Sequence, residues 1–159
     1  GGDANAILPA AFHEAEDTAE LRALGPHFER AGAPLAEGVA ACAAPAAAAA
    51  WLGRCEVVVA SRFHAVAFAL LHRRPVVVLA YHPKVRDLAH AAGLGPWTLT
   101  LREVTGDALA DRIEDARRRS DEQLRVADAY VVGARAEARA AAESALSLLL
   151  GTTERTVTR

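Results

Sequence analysis

The stretch Val57-Val58-Val59-Ala60-Ser61-Arg62-Phe63-His64 runs from a continuous apolar segment straight into helix-forming sequence, His64 to His72. A short β-branched run followed by a polar turn and a helix is the strand-to-helix unit of an open α/β sheet, which binds ligands beyond the carboxyl ends of its strands. Backbone N–H groups at the helix start are unsatisfied and carry the positive end of the helix dipole. The guanidinium of Arg62 beside them makes an anion site.

The same unit repeats at once. Val76-Val77-Val78-Leu79-Ala80 reads as a second buried strand, Tyr81-His82-Pro83-Lys84 as its turn, and Lys84 to Ala92 as the next helix. Pro83 suits a first helical turn because it lacks the N–H that would be unpaired there. If both strands lie in one parallel sheet, both turns emerge at its carboxyl edge, where Ser61, Arg62, His64, Tyr81 and Lys84 can converge on one anionic ligand. The alternative for the first turn is plain capping and solvation of a loop by Arg62 and His64.

Upstream, Ala6 to Leu8 reads as a strand end before Pro9 and Glu14 to Ala31 as a helix with Leu21, Leu24 and Phe28 on one stripe. Leu35 to Val39 reads as a weak strand and Ala46 to Gly53 as a helix. Downstream, Gly93, Gly95 and Pro96 end a helix, and Trp97 to Leu101 alternates as an edge strand does. Asp107 to Leu150 is mostly helical with a break near Ser120. Arg117-Arg118-Arg119 is expected to be a solvated helix face. Together these predict a Rossmann-like, mostly parallel α/β sheet with helices on both faces, one domain over residues 1–150, a long C-terminal helical segment and a flexible tail over 151–159.

Composition narrows the function. The 159 residues carry a formal net charge of −2, which excludes a general polyanion-binding surface and makes nucleic acid a poor partner. No apolar run is long enough to span a bilayer, so the expected location is the cytoplasm, including the inner face of a membrane. Cys42 and Cys55 are too few and too far apart for a disulfide framework or a metal knuckle, and no metal or other cofactor is expected. Trp51 and Trp97 are expected to pack in the core or an interface, with stacking on a sugar as the alternative. His13, Glu14 and Asp17 read as helix-start residues, and His72 and His90 as favourable partners of helix carboxyl ends. The absence of Met and the Gly1-Gly2 opening suggest a piece of a longer protein.

The ordered set Ser61-Arg62-Phe63-His64-Ala65, a helix, then Arg74-Pro75-Val76 through Tyr81-His82-Pro83-Lys84 resembles the carboxy-terminal half of polysaccharide pyruvyltransferases. The resemblance is good from Val57 to Leu94 and loose from Ile7 to Arg54. It implies a glycosyltransferase-B-like enzyme, of which this chain is the donor-binding half, that moves the enolpyruvyl group of phosphoenolpyruvate onto two hydroxyls of a glycan or lipid-linked sugar to leave a pyruvate ketal. It implies Arg62 as the ligand of the donor's carboxylate or phosphate and His64 as the acid-base residue, with an amino-terminal domain or a second copy of the chain as partner. His82 stands where that family has Asp or Asn. Two other readings compete with it: a catalytically silent phospho-ligand-binding domain, and the carboxy-terminal domain of a nucleotide-sugar glycosyltransferase.

Overall fold

The computed structural model describes residues 10–11, 19, 22–23, 26, 40–41 and 44–156. Two short parallel strands, β1 (Ala10–Ala11) and β2 (Ala40–Ala41), pair with each other. The helix α1 (Pro45–Leu52) leads into β3 (Val58–Ala60), α2 (Phe63–Leu71), β4 (Val76–Ala80), α3 (Pro83–Ala91) and β5 (Thr98–Thr100). Two more helices, α4 (Gly106–Arg118) and α5 (Ser120–Thr156), complete the chain. The strands β3, β4 and β5 form a parallel sheet in that order, with Val58 opposite Val76 and Val78 opposite Thr98.

The central strand explains its own position. Val76, Val77 and Val78 are all buried, as a strand covered on both faces requires, whereas β3 buries Val58 and Ala60 and exposes Val59. Helix α3 places Val85, Leu88 and Ala89 on its buried side and Lys84, Arg86 and Asp87 in solvent, an i, i+3, i+4 pattern. Leu94, Trp97, Ala116 and Ala127 close the core around these residues.

Both helices between the sheet strands end in the same left-handed motif. After α3, Gly93 (φ 71°) donates to the His90 carbonyl and Leu94 to that of Ala89; after α2, Arg73 (φ 53°) donates to Leu70 and Arg74 to Ala69. Arg74 then hydrogen-bonds the carbonyls of Gly53 and Cys55 at the carboxyl end of α1, where a cation meets the negative end of the dipole.

Two expectations change here. Trp97 lies in a 3₁₀ turn (Gly95–Trp97), not in the edge strand, because Pro96 starts a turn closed by the Trp97 N–H on the Leu94 carbonyl. Leu101 also falls outside the strand: Glu103 accepts from the N–H and hydroxyl of Thr100, and the chain turns there. Trp97 is 1% exposed, within the core. The triple arginine is not simply solvated. Arg117 pairs with Glu56 and Glu114, Arg118 with Asp115, and Arg119 with Asp115 and Glu122 while its guanidinium lies 5.0 Å above the Trp97 ring.

Helix α5 starts in the core and leaves it. Gln123 is fully buried, and its amide accepts from the Val76 N–H (2.6 Å) and donates to the Val76 carbonyl (3.0 Å). Since β5 pairs with β4 only from Val78 onward, this side chain supplies the hydrogen bonds a longer β5 would have made. Beyond Val131 the helix is largely exposed, including Leu146, Leu148, Leu149 and Leu150. The expected break near Ser120 is present, and the helix reaches Thr156. The expected elements at Ala6 to Leu8, Glu14 to Ala31 and Leu35 to Val39 lie largely or wholly outside the described residues, as do His13, Glu14, Asp17 and Cys42.

Candidate active site

The two strand-to-helix turns stand side by side because β3 and β4 are parallel neighbours in register, with Ala60 opposite Val78. Arg62 is the residue before α2 and has extended backbone (φ −87°, ψ 139°). Among the described residues no side chain caps this helix, and its first turn carries no acidic residue. A helix start of this kind presents its leading N–H groups as donors.

Arg62 instead reaches across to the neighbouring turn, where its Nη1 donates to the Tyr81 hydroxyl at 3.5 Å. The contact joins the carboxyl ends of β3 and β4. Tyr81 is 46% exposed, and Ser61 and His64 in the first turn and Lys84 in the second are exposed as well, so the polar groups of both turns face solvent at one sheet edge. His64, in the first turn of α2, is held edge-on against Phe63 with ring centroids 5.7 Å apart.

The second helix start is filled differently. His82 takes the N-cap position of α3 and its Nδ1 accepts the Lys84 N–H at 3.2 Å. An Asp or Asn oxygen makes the same bond in an N-cap, and here an imidazole nitrogen does this capping work. Of the two helix starts, that of α2 is the one without a side-chain cap among the described residues.

The arrangement continues past Tyr81 into an open pocket at the ends of β4 and β5 that holds Arg86 and Arg102. Neither was anticipated. The Thr100-x-x-Glu103 spacing, a turn-starting signature, was the signal that β5 ends at Thr100 and hands Arg102 to this edge.

Cys55 is half-buried and its thiol donates to the Trp51 carbonyl at 3.7 Å. Burial pushes its pKa up, against the opposing pull of Arg74 and Arg54, which makes it a packing residue and a poor nucleophile. Trp51 is half-buried with the Arg54 guanidinium 4.9 Å over its ring. His72 follows α2 and stacks on Phe68, and His90 lies in the last turn of α3.

No curated protein and no solved structure matches the chain. Among the described residues no helix is long and apolar enough to cross a membrane. Residues 10–83, from β1 through both strand-to-helix turns to the start of α3, match the family described as polysaccharide pyruvyl transferase, in line with the resemblance carried by Arg62, His64 and Tyr81.

Proposed function

We propose that this chain binds the enolpyruvyl donor, phosphoenolpyruvate, in a transferase that builds a pyruvate ketal on a cell-surface polysaccharide or its precursor. The observation that carries the reading is the Arg62–Tyr81 contact, which sets a guanidinium at the uncapped start of α2 within a segment similar to the pyruvyl transferase family. Arg62 holds the donor's carboxylate or phosphate through charge-assisted hydrogen bonds, aided by the first N–H groups of α2 and the Ser61 hydroxyl.

His64 serves as the acid-base residue. Its imidazolium delivers a proton to the methylene carbon of the enol, a sugar hydroxyl adds to the adjacent carbon, and phosphate departs as a second hydroxyl of the same sugar closes the ketal. The first hydroxyl's proton returns to His64 and the second hydroxyl's proton goes to the phosphate that leaves, so the step balances without an oxidant or cofactor. Imidazole suits this exchange because it gains and loses a proton near neutrality. Lys84 neutralises the departing phosphate. The acceptor is a glycan or lipid-linked sugar, handled in the cytoplasm or at the inner membrane face, with an amino-terminal domain or a second copy completing the site.

The test is calorimetric titration of the chain and of Arg62→Ala with phosphoenolpyruvate. Loss of a charged hydrogen-bond partner is expected to weaken binding by about ten-fold or more. Equal affinity in the variant would overturn the assignment.

A further inference from the structure

An open pocket of about 500 Å³ lies beside the Tyr81 turn, at the carboxyl ends of β4 and β5. One wall is the start of α3 with Arg86, the other is the turn after β5 with Leu101 and Arg102, and Tyr81 and Thr100 border the strand side. The lining residues include two arginines and His82 and no acidic residue. Arg86 has a 3.5 Å contact with Asp87, between side chains 63% and 70% exposed, and a pair that open binds weakly. Arg102 makes no hydrogen bond or ion pair with any described residue.

Two like charges facing one cavity repel unless an anion lies between them. Guanidiniums present planar forks of donors that match phosphoryl oxygens. Beside them Leu101, 69% exposed, and the Tyr81 ring offer apolar faces of the kind that pack against the carbon-bound hydrogens of a sugar ring. Both arginines lie beyond residue 83, outside the segment similar to the pyruvyl transferase family.

We propose that this pocket binds a glycosyl phosphate, with Arg86 and Arg102 on the phosphoryl oxygens and the sugar against Tyr81 and Leu101, and that this ligand is the acceptor. The acceptor role rests on the donor reading of Arg62, from which the pocket is separated by Tyr81. The ligand chemistry rests on the pocket's own residues.

Titration of the full chain with glucose 1-phosphate, orthophosphate, glucose and UDP-glucose tests it, alongside Arg86→Gln, Arg102→Gln and Arg62→Ala. Glucose 1-phosphate is expected to bind best, and at least ten-fold more weakly to either pocket variant. The proposal is overturned if glucose 1-phosphate does not bind, if orthophosphate binds as tightly, if UDP-glucose binds more tightly, or if the pocket variants keep wild-type affinity. Phosphoenolpyruvate binding that weakens in Arg102→Gln and displaces glucose 1-phosphate would make the pocket a donor site and overturn the acceptor role. Failure of the donor reading shows separately, as phosphoenolpyruvate affinity unaltered by Arg62→Ala.

Discussion

At the scale of single residues, Gln123 has the largest structural consequence. Its two hydrogen bonds satisfy the N–H and carbonyl of Val76, a residue with no exposed surface. Gln123→Leu keeps the volume and removes both partners, leaving two buried polar groups unpaired. A loss of about 2–3 kcal/mol is expected, measured by urea unfolding. A change under about 0.5 kcal/mol would mean that water replaces the amide, and would refute this account of the site. Nothing in the sequence marks Gln123, since a glutamine within a helical stretch reads as a surface residue. Its burial follows from where β5 starts, at Thr98 opposite Val78 and so two residues past Val76 on the facing strand, and reading Trp97 to Leu101 as one strand placed that start too early. His82 caps α3 ahead of Pro83, another role not read from the sequence.

Among the elements, the paired endings of α2 and α3 allow a controlled comparison. Gly93 takes the left-handed position without cost, and a Cβ there would meet that of Val126 at 3.3 Å. Gly93→Ala is expected to destabilise by about 1–2 kcal/mol. At Arg73 the same conformation carries a side chain, which pairs with Asp128 at 2.7 Å near the surface. Replacing it by glycine relieves the backbone, loosens the unfolded chain and removes an exposed ion pair, terms that nearly cancel. Arg73→Gly should leave the thermal midpoint close to wild type. A drop as large as that of Gly93→Ala would show that the Asp128 pair governs this position.

The elements from β3 to α3 were legible because each apolar run is short, β-branched and bounded: Pro75 before Val76, Tyr81 after Ala80. Arg62 and Tyr81 were legible for the same reason, since parallel neighbours in register bring successive turns to one edge. Arg86 and Arg102 were not. They come from different elements, and only the early end of β5 reveals that they share a pocket.

For the molecule as a whole, carboxylates held by neighbours set the response to acid. The Thr100 N–H and hydroxyl hold Glu103 below its ordinary range, and the Arg119 fork does the same for Glu122. Burial raises Asp115, but Arg118 and Arg119 together outweigh it and leave it lowered. Folded values below the unfolded ones mean that the stabilisation is present above the ordinary carboxylate range and is lost as pH falls through the folded values. The unfolding midpoint is therefore expected to fall below about pH 4. In Glu103→Gln the decline should be shallower, because one such group no longer titrates. An identical decline would remove Glu103 from the explanation.

The Gln123–Val76 pair has a mechanical meaning as well. Helix α5 spans 37 residues, about 55 Å of near-rigid rod, and is held near its start by Gln123 on the sheet, Ala127 in the core and the Arg73–Asp128 pair, while the described residues of its second half are exposed. Such a rod is a lever with a short inner arm and a long outer one. A load on the outer half is delivered as torque to this inner attachment, which includes the Val76 peptide, and from there β4 runs without interruption to Tyr81.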